Sequence, residues 1–182
     1  MKTVAAIHTA MPMVEPTKEL FAKHLPGVRL INIVDDSLIQ DVIAAGVVPE
    51  AVATRLYQYY KAAINAGADV IFNTCSSVGD IALQARKEVE VPLVKIDDAM
   101  AREAVEKGKS IGVLATLQTT LDPTIRLLEH FAAEAGKEIR VSRGVARGAF
   151  EAVIGGDRDT HDRLIMETAI RLAAEVDLFV LA

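Results

Sequence analysis

The chain has 182 residues, 51% of them hydrophobic, with no tryptophan, one cysteine and a formal charge of −5. That length buries a sizeable core in one domain or two small lobes, and the acidic balance, without any Lys/Arg cluster among aromatics, excludes a nucleic-acid footprint. A single cysteine forms no internal disulfide, no charged-then-apolar leader opens the chain and no apolar run reaches membrane-spanning length, so a soluble, cytoplasmic protein without membrane contact is expected.

Val4 to Ile7 read as a first strand, ending in His8-Thr9 and a ligand-facing loop with Pro12 and Pro16. A helix from Thr17 to Leu25, with Leu20, Phe21 and His24 on one side, stops at Pro26-Gly27. Arg29 to Val34 make a second strand closed by Asp35-Asp36. Pro49 sits as an N1 proline, and Val52, Leu56, Tyr59 or Tyr60, and Ala63 mark the buried stripe of a long helix capped by Gly67. Val70 to Phe72 form a third strand that stops abruptly at Asn73-Thr74-Cys75-Ser76-Ser77. Val78, Ile81, Ala82, Ala85 and Val89 then recur at helical spacing, which puts Cys75 in a strand-to-helix turn. Leu93 to Ile96 are a fourth strand, followed by Asp97-Asp98 and a short helix ended by Gly108.

Ser110 to Ala115 open a second series, running into Thr116-Leu117-Gln118-Thr119-Thr120, with Asp122 and Pro123 starting a helix that Gly136 stops. Ile139 to Val141 are a strand and Arg143 to Phe150 a connection with two glycines. Asp159 to Glu175 are a helix with Leu164, Thr168, Leu172 and Val176 in register, and Leu178 to Ala182 the last strand. Strands alternating with helices imply parallel sheets covered on both faces. The second series repeats the first: aligning the strand before Thr9 with that before Thr116 gives an offset of 107, and aligning Ala68–Thr74 with Val176–Ala182 gives 108. The expected fold class is α/β. Two similar lobes, 1–98 carrying Cys75 and 99–182 breaking off one or two residues before the counterpart of Cys75, each have a mostly parallel sheet flanked by helices, with the active site in the cleft between them.

Strand-end turns are where open α/β sheets bind ligands, and N–H groups at a helix start favour a thiolate and attract a carboxylate. Cys75 is therefore a candidate nucleophile or base. A lone cysteine is more commonly an inert buried thiol, but these polar, helix-capping neighbours favour chemistry. Two facing loops rich in Thr, Ser and Asn suit a small carboxylate, and two opposed groups of matched pKa are what inversion of a chiral carbon requires. His24, His130 and His161 lack metal-ligand spacing and read as surface or capping groups. Asp35-Asp36 and Asp97-Asp98 read as helix caps, with contact to a substrate ammonium the lesser reading. Tyr57, Tyr59 and Tyr60 read as helix packing and an interface edge. Gly144, Gly148, Gly155 and Gly156 form no dinucleotide fingerprint.

Asn73-Thr74-Cys75-Ser76-Ser77, Leu114-Ala115-Thr116 with Thr119-Thr120, and Gly148-Ala149-Phe150-Glu151 followed by Gly156-Asp157 and Thr160-His161-Asp162 together resemble the aspartate/glutamate/hydantoin racemase superfamily along nearly the whole chain. The resemblance implies a two-lobed racemase or epimerase without metal or pyridoxal cofactor, in which paired cysteines flank the α-carbon of a small carboxylate. Carried over by position, Cys75 is the first-lobe acid/base. Asn73, Thr74 and Ser76 line its side, with His8 and Thr9 on the cleft wall, and Thr116, Thr119 and Thr120 bind carboxylate. The superfamily also holds decarboxylases and cis–trans isomerases of small diacids, and a protein with one cysteine could be a silent carboxylate binder, so these stand as alternatives. A homodimer is expected from the base rate for soluble enzymes.

Overall fold

The computed structural model describes residues 1–182, and every strand pair in it is parallel. The chain divides into two compact units, Met1–Ile96 and Asp97–Ala182. No helix is long and apolar enough to cross a membrane.

In the first unit, β1 (Thr3–His8), β2 (Arg29–Val34), β3 (Val70–Asn73) and β4 (Leu93–Lys95) form one sheet in the order β2-β1-β3-β4. Central strands of a parallel sheet are covered on both faces, which is why β1 reads as a continuous Val-Ala-Ala-Ile run. Helix α1 (Val14–His24) joins β1 to β2, α2 (Ser37–Ala45) and α3 (Glu50–Asn65) join β2 to β3, and α4 (Gly79–Ala85) leads to β4. The core sets Ile7, Ile71 and Leu93 against Leu38 and Val42 of α2, Val52, Leu56, Tyr60 and Ala63 of α3, and Ala82 and Ala85 of α4. Of the two candidate tyrosines, Tyr60 is the buried one, while the Tyr59 hydroxyl donates to Asp35 at 2.7 Å.

Helix α2 was not expected from the sequence. Asp35 nucleates it: its carboxylate accepts from the Ser37 N–H at 3.1 Å and the Ser37 hydroxyl at 2.6 Å, and Gly46 ends it with a left-handed φ of 69°. Helix α1 begins at Val14, not Thr17. Pro16 fits its first turn, where the missing N–H has no helical partner to lose. Its inward residue is Thr17; of the residues expected on one side with Phe21, Leu20 is 58% exposed and His24 also lies at the surface.

In the second unit, α5 (Asp98–Lys107) precedes β5 (Ser110–Ala115), and β5, β6 (Arg140–Val145) and β7 (Leu178–Leu181) form a sheet in the order β6-β5-β7. Helix α6 (Gln118–Glu134) starts four residues before the expected Asp122, because Leu121, Thr124, Leu128 and Phe131 extend its buried stripe back past Pro123. The segment expected as a connection from Arg143 instead completes β6 and folds α7 (Ala149–Ile154), entered through Gly148 at a φ of 85°. Helix α8 (Arg158–Leu172) is capped by Asp157, whose carboxylate accepts from the Thr160 N–H at 3.0 Å.

The repeat holds at the level of hydrogen-bond register. Ala5 pairs with Ile71, and the residues at the two offsets, Gly112 and Phe179, pair likewise. The Thr74 N–H donates to the Ile7 carbonyl at 3.1 Å, and the Ala182 N–H to the Leu114 carbonyl at 2.8 Å. Asp69 accepts from the Thr3 N–H just as Asp177 accepts from the Ser110 N–H.

Candidate active site

In a parallel sheet all strands end on one side, so β1 and β3, paired up to Ile7 and Asn73, deliver His8-Thr9 and Thr74-Cys75 to the same edge. Cys75, the chain's single cysteine and in no disulfide, has extended backbone (φ −125°, ψ 117°) and is half-buried. Between Cys75 and the helix expected from Val78 lies a three-residue 3₁₀ turn, Ser76–Val78, and α4 begins at Gly79 with seven residues. Little of a macrodipole therefore reaches the sulfur, and its environment rests on the side chains that fix the loop.

Two buried hydrogen-bonded chains do that. In one, the Tyr60 hydroxyl donates to Asn73 Oδ1 at 3.2 Å, and Asn73 Nδ2 donates to the Cys75 carbonyl at 2.9 Å. Burial first, then the charges of Cys75 and Tyr57, push the Tyr60 phenol above its ordinary range, so it stays a protonated donor. In the other, His8 Nε2 lies 2.9 Å from Asn32 Oδ1, and His8 Nδ1 lies 3.0 Å from the Thr74 hydroxyl, which also lies 3.0 Å from the Ile7 carbonyl. An amide oxygen only accepts, so Nε2 carries the proton, and the single hydrogen of the Thr74 hydroxyl serves either the bare Nδ1 or the Ile7 carbonyl. Burial pulls the His8 pKa below 6.5, against the opposing hydrogen bond to Asn32, which favours this neutral ring.

These contacts revise the expected cleft wall. His8 and Asn73 are 0% exposed, Thr74 6% and Thr9 3%, and the polar atoms of His8, Asn73 and Thr74 face one another and the loop backbone. They build the underside of the loop. Cys75 and Ser76 remain the half-exposed polar groups beside it. In the second unit, Thr116 follows β5 and Thr119 lies in the first turn of α6, both half-buried, while Thr120 beside it is 8% exposed.

Both Asp35 carboxylate oxygens already have partners, Ser37 on Oδ1 and Tyr59 and Arg55 on Oδ2. Desolvation alone would raise its pKa, but hydrogen bonds from Ser37 and Tyr59 and the Arg55 guanidinium at 3.1 Å outweigh it and hold the carboxyl below the usual range. The residue ties β2 to α2 and α3. No three metal-binding side chains cluster anywhere. His130 faces Glu134 at 3.2 Å and His161 faces Asp162 at 2.7 Å.

A profile of the Asp/Glu/hydantoin racemase family matches residues 6–182. The chain belongs to this family. No curated protein matches it. Among solved structures, a glutamate racemase isoform from Bacillus anthracis superposes with a TM-score of 0.74 at 14% identity, over 99% of this chain and 67% of that one. The aspartate racemase of Picrophilus torridus gives 0.70 at 18% identity, over 100% and 80%. A variant of arylmalonate decarboxylase with a glycine replaced by cysteine, in a sulfate-associated form, gives 0.57 at 16%, over 98% and 77%. The fold is thus that of the family's racemases, and a decarboxylase shares it.

Sequence reasoning about this racemase-family chain missed Asn32 and Tyr60. Each left a signal: Asn32 is an amide in the otherwise apolar Leu-Ile-Asn-Ile-Val run, and Tyr60 places a hydroxyl on the buried stripe of α3. A polar atom inside a core demands a partner, and here both partners lie beside Cys75.

Proposed function

We propose that the chain is a cofactor-independent racemase or epimerase acting at the α-carbon of a small carboxylate of the aspartate/glutamate or hydantoin type, with Cys75 as an acid/base. The observation that carries this reading is the half-exposed thiol at the C-terminal end of β3, on a loop fastened from below by Asn73. The Cys75 thiolate takes the α-proton, forming an S–H bond and leaving the electron pair to delocalise into the carboxylate. Delivery of a proton from a second acid to the opposite face inverts the centre. Hydroxyl donors suit the charge that builds on the carboxylate, and Ser76, Thr116, Thr119 and Thr120 are assigned that role.

Family membership supports the reaction class, and the substrates in the names of the family and of the racemases sharing the fold set the panel: aspartate, glutamate and hydantoins of both hands. The test is proton NMR of the protein in D2O with that panel and malonate-type diacids. Wild-type protein is expected to exchange the α-proton of at least one compound for deuterium, and Cys75→Ser to lose at least about 99% of that rate while remaining folded, since the swap is nearly isosteric but removes the ionisable thiol. Exchange unaffected by Cys75→Ser would remove Cys75 from the mechanism. Release of CO2 without exchange would replace racemisation with decarboxylation.

A further inference from the structure

We propose that Tyr60 is a positioning residue for Cys75, acting through the side-chain amide of Asn73. The inference rests on the reading of Cys75 as the acid/base, but its geometry is independent of any substrate. Tyr60 sits on the core stripe of α3 between Leu56 and Ala63, where every neighbour on the stripe is apolar. A hydroxyl placed there costs stability unless it is satisfied, and its acceptor is Asn73 Oδ1.

Only one arrangement of the amide works. The Cys75 carbonyl can only accept, so the Asn73 NH2 group must face it, which turns Oδ1 toward Tyr60 and requires the phenol to donate. The Asn73 backbone is held by pairing with β1 and by the Ile96 N–H, which donates to its carbonyl at 2.9 Å. The freedom left to Asn73 is rotation of its amide, and the Tyr60 hydroxyl opposes that rotation. The phenol's raised pKa keeps the donor in place across the pH range in which a thiol titrates.

Removing the hydroxyl leaves a fully buried Oδ1 without that donor. The amide then turns, and its N–H, with the positive end of its dipole, leaves the Cys75 peptide. Loss of that positive potential from the Cys75 peptide disfavours the thiolate, so the Cys75 pKa rises.

The experiment is the pH dependence of carbamidomethylation of Cys75 by iodoacetamide, followed by intact mass, in wild type, Tyr60→Phe, Asn73→Ala and the double variant. Cys75 is the sole thiol, so no other site contributes. The midpoint is expected to rise by about half a pH unit or more in each single variant, and Tyr60→Phe to add nothing in the Asn73→Ala background. A folded Tyr60→Phe protein with an unmoved midpoint overturns the proposal, as does a shift that persists when Asn73 is already alanine. A purely structural tyrosine would lower the melting temperature and leave the midpoint in place. Should Tyr60→Phe fail to fold, Asn73→Ala decides alone: a raised midpoint supports the tether and an unmoved one ends it. Because alkylation needs no substrate, failure of the racemase reading leaves this result standing. Where α-proton exchange is found, kcat should fall about tenfold or more in Tyr60→Phe with KM changing less.

Discussion

At the residue scale, the loop around Cys75 is held by neutral groups that must stay neutral. His8 is the clearest case, a fully buried imidazole whose Nε2 faces Asn32 and whose Nδ1 faces Thr74. Protonation would place a charge in the core. Its folded pKa therefore lies below the unfolded value of 6.5. Above pH 6.5 the ring is neutral in both states and its stabilisation is fully present. As pH falls below 6.5 the unfolded chain takes up a proton that the folded chain resists, and stability drops by at most about 1.4 kcal/mol per pH unit until the folded pKa is reached. Urea unfolding of wild type and His8→Gln between pH 5 and 7 checks this. The variant should be less stable at pH 7, and its stability should fall less steeply toward pH 5; the other three histidines are common to both proteins and cancel. Parallel slopes would mean that His8 does not carry the effect.

At the element scale, close packing of α8 on its sheet depends on the absence of one side chain. A Cβ at Gly144 of β6 would lie 2.7 Å from a Leu114 methyl, 2.8 Å from the Thr168 methyl and 3.0 Å from a Leu172 methyl. Thr168 cannot easily swing away, since its hydroxyl donates to the Leu164 carbonyl and accepts from Arg171, each at 2.9 Å. Gly144→Ala should push α8 off β6 and cost about 1–3 kcal/mol, read as a lowered melting temperature. Gly27→Ala, with nothing within 4 Å, is the control and should change little. This contact was invisible in the sequence, where Arg143 to Phe150 read as a loop: a glycine inside β6 breaks the strand pattern although it is what lets a helix approach. Strands β1, β2, β3 and β5 were legible because a covered parallel strand is a short apolar run with sharp ends. Helix α2 is missed although Ser37, Leu38, Ile39, Val42 and Gly46 spell its start, stripe and stop, because the next helix after the Asp35-Asp36 cap reads most clearly from Pro49. Cys75 was legible as part of the turn that follows β3. The inward roles of His8 and Asn73 were not, since the same residue types at a strand end serve equally to touch a ligand or to hold the loop beneath it.

At the scale of the whole molecule, the two units repeat one register, and that repeat was legible as an offset because β-pairing keeps spacing even where residue identity has drifted. Thr74 corresponds to Ala182 through the same backbone bond, to Ile7 in one unit and to Leu114 in the other, so the counterpart of Cys75 is the position that follows Ala182. Inversion of a carbon needs a proton removed from one face and one delivered to the other, and a single thiol serves one face. The polypeptide Met1–Ala182 holds one thiol. On the proposed mechanism α-proton exchange in D2O should therefore outpace inversion, because the thiol also returns deuterium to the face it deprotonated. If the second acid of the proposed mechanism is the counterpart of Cys75, extending that polypeptide by a cysteine at the position after Ala182, followed by a short polar tail, raises the ratio of inversion to exchange, whereas serine there does not. Chiral chromatography of the deuterated product reads the ratio directly. Equal inversion in the cysteine-extended and serine-extended proteins would show that the second proton comes from a group other than the one the repeat designates.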